Sequence, residues 1–146
     1  QYVDDGELYA WGETMARYSA YIYTSRLEYL DKLGIHAGER MRELSDGKEA
    51  LTLTFKCDID GGALSREDAF LEYKRIYTEN IEREKIVGTS LYGPQRDDII
   101  INLNGNPARS FASQGQQRSA VIALKLAEGE IAEIFKRHLK GFSSFA

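Results

Sequence analysis

A serine followed by a glycine set among glutamines, Ser113-Gln-Gly-Gln-Gln-Arg118, runs straight into an amphipathic stretch that continues to Ile131, and no other part of the chain restricts its fold so tightly. Ser113 is a good N-cap, and Gln116, three residues on, can reach back to the cap's own amide, the reciprocal arrangement of a capping box. The helix is therefore predicted to open at Gln114. Its first turn carries amides without intrahelical partners and the positive end of the helix dipole, and Gly115 lacks a Cβ, so another molecule can come close to the backbone. That is a seat for an anion, best suited to phosphate. The plain alternative is a well-capped core helix.

The surrounding chain reads as an α+β domain. Asp98–Leu103 alternates, with Ile99, Ile101 and Leu103 facing inward, and Asn104-Gly105 behind it is the strongest short hairpin signal. Pro107–Phe111 is predicted to return as a short edge strand, so a small antiparallel sheet delivers the chain to Ser113. The helix from Gln114 is expected to bury Ala120, Leu124, Ala127, Ile131 and Ile134 as one stripe, with Phe135 beside it, and to run to Leu139 or thereabouts. Lys136, Arg137, His138 and Lys140 suit its negative end and require no ligand.

Upstream, Leu51–Ile59 alternates as a half-buried strand that turns Cys57 inward as a small hydrophobe, and Asp60-Gly61-Gly62 is a turn. Ser65 and Asp68 repeat the capping pattern, opening a helix striped by Phe70, Tyr73, Tyr77 and Ile81 as far as Glu84; Ile86–Tyr92 is expected to be extended. The spacing of those tyrosines places them in a core rather than on a base-stacking platform. From Leu8 the apolar residues Leu8, Trp11, Met15, Tyr18, Ile22, Leu30, Leu33, Ala37, Met41 and Leu44 follow a three-and-four rhythm that predicts a long helix stopped by Ser45-Asp46-Gly47. Unbroken, it would span roughly 60 Å. Gly34 and Gly38 lie inside it, each costing about 1 kcal/mol relative to Ala, as sites for a kink or break.

At 146 residues the chain is one domain's worth, with an ordinary apolar fraction and a net charge of −4, so no global basic field holds nucleic acid and any DNA contact must be local. One cysteine excludes an internal disulfide, fits a reduced cytoplasmic setting and, beside only His36 and His138, leaves no zinc set. No apolar run approaches a membrane span. Gln1 opens the chain without a signal peptide, as a piece cut from a longer protein would, and residues 142–146 read as a linker or tag remnant.

Ser113-Gln-Gly-Gln-Gln-Arg118 followed by Ala123-Leu-Lys-Leu-Ala-Glu128 resembles the signature motif of the RecF family, bacterial gap-repair ATPases whose head is similar to that of the SMC-type ABC ATPases. A second block, Gly93-Pro-Gln-Arg-Asp-Asp98, stands where that family carries Gly-Pro-His-Arg-Asp-Asp, and the two blocks keep the family's order. The resemblance implies the second lobe of such a head. Residues 1–46 would form a helical arm, kinked if a glycine breaks it, and 47–141 a lobe of small antiparallel sheet plus signature helix.

In this family type the signature caps the γ-phosphate of ATP bound to the opposite subunit, so that ATP joins two heads. Carried onto this chain, Ser113 would donate through its hydroxyl, Gly115 and Gln116 would offer backbone amides, and Gln114 or Gln117 would shape the rim. Arg118 is either a phosphate partner or a structural pairing residue. Arg96, Asp97 and Asp98 fit an ion-paired, DNA-proximal loop that braces the lobe, and Gln95 in place of the family's His retains a hydrogen-bonding role without a titrating imidazole.

The chain has no G-x-x-x-x-G-K-[ST] phosphate loop and stops before the hydrophobic strand and Asp pair that follow the signature helix in the family. The piece is therefore expected neither to hydrolyse ATP nor to hold ATP or Mg2+ tightly, although both are cofactors of the parent, a weak DNA-dependent ATPase. The parent's implied work is ATP-dependent self-dimerisation and binding of gapped or junction DNA with RecR and RecO, so that RecA is loaded in DNA repair, recombination, replication and the SOS response. Three other readings stand beside it: a docking arm for a protein such as RecR with a purely structural signature helix; a nucleic-acid module, opposed by the acidic balance; and another SMC-like ATPase, opposed by the short spacing from arm to signature.

Overall fold

The long apolar rhythm that begins at Leu8 becomes a single helix, α1 (Asp5–Leu44), which runs through Gly34 and Gly38 without interruption. In this computed structural model, which describes residues 4–60 and 62–143, it is followed by β1 (Leu51–Lys56), α2 (Arg66–Val87), a 3-10 turn at Pro94–Arg96, β2 (Asp98–Leu103), β3 (Asn106–Pro107), α3 (Ala108–Phe111) and α4 (Gln114–Ser143). The elements fall into two compact units interleaved in sequence. The first takes α1 as far as Glu28 together with Phe55–Asp98; the second takes Tyr29–Thr54 and the chain from Ile99 onward.

In the first unit, Ala16, Ala20 and Tyr23 of α1 share a core with Ile59 and with Ala69, Phe70 and Tyr73 of α2. This corrects the expected stripe: Trp11, Met15 and Tyr18 are 61%, 49% and 66% exposed. Two alanines one turn apart let the α2 rings come close to the α1 backbone, and that close approach outweighs the greater hydrophobicity of the neighbouring face. Ser19 is buried there, its hydroxyl within 2.6 Å of the Tyr77 hydroxyl. The Tyr23 hydroxyl donates to the Gly62 carbonyl at 2.8 Å and accepts from the Leu64 amide at 3.2 Å, fastening the loop ahead of α2. Gly61 of the predicted turn lies outside the described residues. Ser65 caps α2, accepting from the Asp68 amide at 3.1 Å and donating to its carboxylate at 2.9 Å.

Two expectations in this unit are corrected. The strand from Leu51 ends at Lys56 rather than Ile59. Ile86 and Val87 are helical rather than extended, because α2 ends only at Gly88, whose left-handed φ of 74° lets its amide return to the Glu84 carbonyl. Ile86 is exposed, so the apolar pair marks no buried strand. Cys57 is half-buried, with burial raising its thiol pKa and its Sγ donating to the Ile59 carbonyl at 3.4 Å, the setting of an unreactive thiol.

The second unit contains the sheet, in the order β1-β2-β3, with residues 51–54, 99–103 and 106–107. Asn102 faces Pro107 and Leu103 faces Asn106 across the hairpin, while Asn104 exchanges bonds with Ala50 and Asn102 reaches Thr54, so β1 is antiparallel to β2. Asn104 and Gly105 both take positive φ, 52° and 81°, the primed turn that matches strand twist. The expected return strand Pro107–Phe111 is corrected: after Pro107 the chain coils into α3. β3 is only two residues long, and Ile99, expected inward, is 45% exposed.

Helix α4 opens at Gln114 as predicted and buries Ala120, Ala123 and Ala127, but Ile134, expected on the stripe, and Phe135, expected beside it, are 43% and 64% exposed. It continues past Leu139 to Ser143, and residues 144–146 lie outside the described residues. Glu130 of α4 is bonded to His36 Nδ1 at 2.7 Å and lies 3.0 Å from Arg40 Nε, fastening the helix to the second half of α1. Gly38 permits another close approach, since a Cβ there would stand 3.2 Å from the Leu51 carbonyl.

Candidate functional site: the amino end of helix α4

The capping box is closed in both directions. Ser113 Oγ accepts from the Gln116 amide at 3.2 Å, and Gln116 Oε1 accepts from the Ser113 amide at 2.8 Å. The Gln117 amide returns to the Ser113 carbonyl at 2.9 Å. Gln114 and Gly115 are exposed, and their amides have no hydrogen-bond acceptor among the described residues. A Cβ on Gly115 would meet nothing nearer than Ser113 Oγ at 3.9 Å, so the approach to this turn is open. Ser113 is exposed too, and its hydroxyl proton is available to an acceptor from outside. Two free amides, one hydroxyl and the positive helix end form a donor set suited to a phosphate oxygen.

The glutamines differ in what they can do. Gln117 turns its Nε2 back to the carbonyls of Ala108 and Ala112, at 3.2 and 3.1 Å, satisfying the end of α3. Gln114 is left at the rim, where it lines a shallow depression with Gln117, Arg118, Val121 and Ile122. Arg118 is exposed and has no ion pair among the described residues. Gln116 is the most tightly held. Its Nε2 donates to Glu49 Oε1 at 2.7 Å, and the other Glu49 oxygen accepts from Asn104 Nδ2. Glu49 escapes sequence reasoning altogether, while Asn104 is legible there only as a turn residue.

The Gly93–Asp98 block belongs to the first unit and is held by its own contacts. The Gly93 amide donates to Asp58 Oδ2 at 2.7 Å; Gly93 has a φ of 133°, and a Cβ there would collide with the Gln95 side chain. Gln95 Nε2 donates to the Tyr92 carbonyl at 3.0 Å. Arg26 of α1 forks to the Pro94 carbonyl at 2.7 Å and to Asp97 Oδ2 at 2.5 Å. The Asp97 side chain is 4% exposed and its other oxygen is buried with no hydrogen-bond partner among the described residues, so desolvation raises its pKa although Arg26 pulls the other way. Arg96 and Asp98 are exposed. The geometry is that of a braced turn. Arg26 and Asp58 carry no motif that would have marked them in the sequence.

No protein-family model matches the chain. It is 38% identical over 117 residues to the DNA replication and repair protein RecF of Limosilactobacillus fermentum, a match covering 80% of this chain and 31% of that protein. To RecF of Magnetococcus marinus it is 36% identical over 135 residues, covering 90% of this chain and 35% of the relative. A solved structure of the recombination mediator protein RecF-ATP in the RecFOR pathway matches with a TM-score of 0.82 and 28% identity, over 90% of this chain and 35% of that one. The chain thus spans about a third of the length of the relatives it matches. Its architecture, a long helix with a small antiparallel sheet and a second long helix, agrees with that of RecF.

Proposed function

This chain is a RecF-like segment, and from that premise we propose that the amino end of α4 completes, in trans, a nucleotide site carried by a second RecF-like subunit. ATP, when bound there, supplies a terminal phosphate whose charge the helix end attracts. Ser113 donates its hydroxyl, Gln114 and Gly115 offer their amides, the Gln116 amide is shared with the cap, Gln114 with Gln117 behind it forms the rim, and Arg118 lies one turn further along as a phosphate partner. The magnesium that accompanies ATP is assigned to the subunit that carries the phosphate loop, beside the phosphates it bridges. The Arg96–Asp98 turn braces the lobe and is placed near DNA. In this reading the parent dimerises with ATP, binds gapped or junction DNA in the cytoplasm with RecR and RecO, and supports RecA loading, while this segment alone does not hydrolyse ATP.

The observation that carries the reading is the pair of exposed, unbonded amides at Gln114 and Gly115 beside the free face of the Ser113 hydroxyl. Sedimentation of the labelled chain with a full-length RecF is expected to show association that requires ATP and is lost in Ser113→Arg, whose side chain fills the seat. Association that ignores ATP, or survives that substitution, overturns the reading. ATP turnover by the chain above a Ser113→Arg control overturns the claim that it is not an enzyme by itself.

A second reading, a docking arm for a protein such as RecR, draws on an apolar groove of about 170 Å³ in the first unit, lined by Trp11, Met15, Tyr77 and Ile81 among others. Capture by RecR that persists in Ser113→Arg would favour it.

A further inference from the structure

We propose that Glu49 and Asn104 are positioning residues for the signature turn: the Glu49 carboxylate orients the Gln116 amide so that the capping box closes through an uncharged side chain. The proposal rests on the phosphate-seat reading only for the benefit of that neutrality. The orienting role stands on hydrogen-bond chemistry alone.

A carboxylate only accepts. Glu49 Oε1 receives Gln116 Nε2 and Oε2 receives Asn104 Nδ2, so both amides must turn their NH2 groups toward it. Gln116 is then obliged to present Oε1 to the Ser113 amide, and Asn104 to present Oδ1 to the Ala50 amide, at 2.8 and 2.9 Å. The Asn104 backbone is itself clamped, its amide donating to the Ala50 carbonyl at 2.9 Å at a φ of 52°, so the hairpin tip is a fixed platform for Glu49. The chain of bonds runs from that platform through one carboxylate to Ser113.

A glutamate at position 116 would close the same box and is the other residue type that does so. It would also place a negative charge directly beside a seat meant for an anion. Glutamine keeps the rim neutral, and the charge needed to fix the glutamine stands one side chain further back, on Glu49.

Backbone amide exchange measured by NMR on the isolated chain decides the orienting role. In Glu49→Gln, the one remaining oxygen is held by the clamped Asn104 amide and an NH2 group faces Gln116, so Ser113 amide exchange is expected to accelerate about tenfold while the amides in the middle of α4 are unchanged, showing the second unit intact. The swap Glu49→Gln/Gln116→Glu restores every bond, with Gln at 49 donating to the carboxylate at 116 and accepting from Asn104; Ser113 exchange should return to within about twofold of the original. Unchanged exchange in Glu49→Gln, or no recovery in the swap, overturns the orienting role. In sedimentation with full-length RecF and ATP, the swap, with its box closed but its rim charged, should associate at least about tenfold more weakly than the unaltered chain; equal association overturns the charge argument. If the unaltered chain shows no ATP-dependent association, the phosphate-seat reading falls together with the charge argument, and amide exchange alone settles the role of Glu49.

Discussion

Ser113 serves the fold and the proposed site with a single oxygen: its lone pair satisfies the Gln116 amide, and its exposed hydroxyl can turn its proton to an acceptor from outside. Ser113→Ala should therefore cost about 1 kcal/mol in denaturant unfolding through the lost cap alone, and should also weaken ATP-dependent association. A residue that was only a cap would change the first measurement and not the second. Asp97 offers a separate test through pH. Burial holds its carboxyl above the ordinary range, so its contribution favours the folded state when protonated, is fully present below the unfolded carboxyl's pKa and is lost as pH rises through the raised folded value. Arg26 offsets that loss at neutral pH. In Arg26→Met the folded pKa climbs further, and the variant should be less stable by about 2 kcal/mol at pH 7, a figure reduced from that of a fully buried pair because Arg26 is partly exposed. The deficit should shrink as the pH is lowered toward the carboxyl range; a deficit independent of pH would show that Arg26 acts by packing instead.

Within α1, Gly34 and Gly38 look alike in sequence, yet their surroundings differ. Nothing lies within 4 Å of a Cβ on Gly34, whereas one on Gly38 stands 3.2 Å from the Leu51 carbonyl. Gly34→Ala is expected to stabilise by about 0.5–1 kcal/mol and Gly38→Leu to destabilise, read as opposite shifts in the urea midpoint. At the start of α4, Gly115→Ala meets open space and should gain up to about 1 kcal/mol in stability while lowering ATP-dependent association, because the added methyl stands on the approach to the amides. Gain without loss of association would remove Gly115 from the site. The elements misread from sequence share one cause, since periodicity ranks side chains by hydrophobicity while packing ranks them by how closely backbones can approach. Ala16 and Ala20 therefore displaced Met15 and Tyr18 from the core, and α2 ran on through Ile86 to a glycine able to take positive φ.

For the whole molecule, a net charge of −4 sets the expectation that the isolated chain gives no shift of gapped DNA at about 150 mM salt, where exposed charges are screened beyond about 8 Å. Salt-resistant binding by the chain alone would place a DNA site within it. What the amino-acid sequence determined by itself was local: the capped start of α4 at Gln114, the cap of α2 at Ser65, the Asn104-Gly105 turn and the alternation of β1 all follow from hydrogen bonds and φ preferences among residues a few positions apart. The RecF likeness was legible for the same reason, being carried by two short contiguous blocks. Only the tertiary structure decided that Arg26 and Asp58 brace the Gly93–Asp98 turn, that the α1 core face is lined by alanines in the first unit, and that Glu49 stands between Asn104 and Gln116. Each of those pairings joins residues far apart in the chain, and no periodicity encodes which distant side chain will complete a hydrogen bond once the backbone has folded.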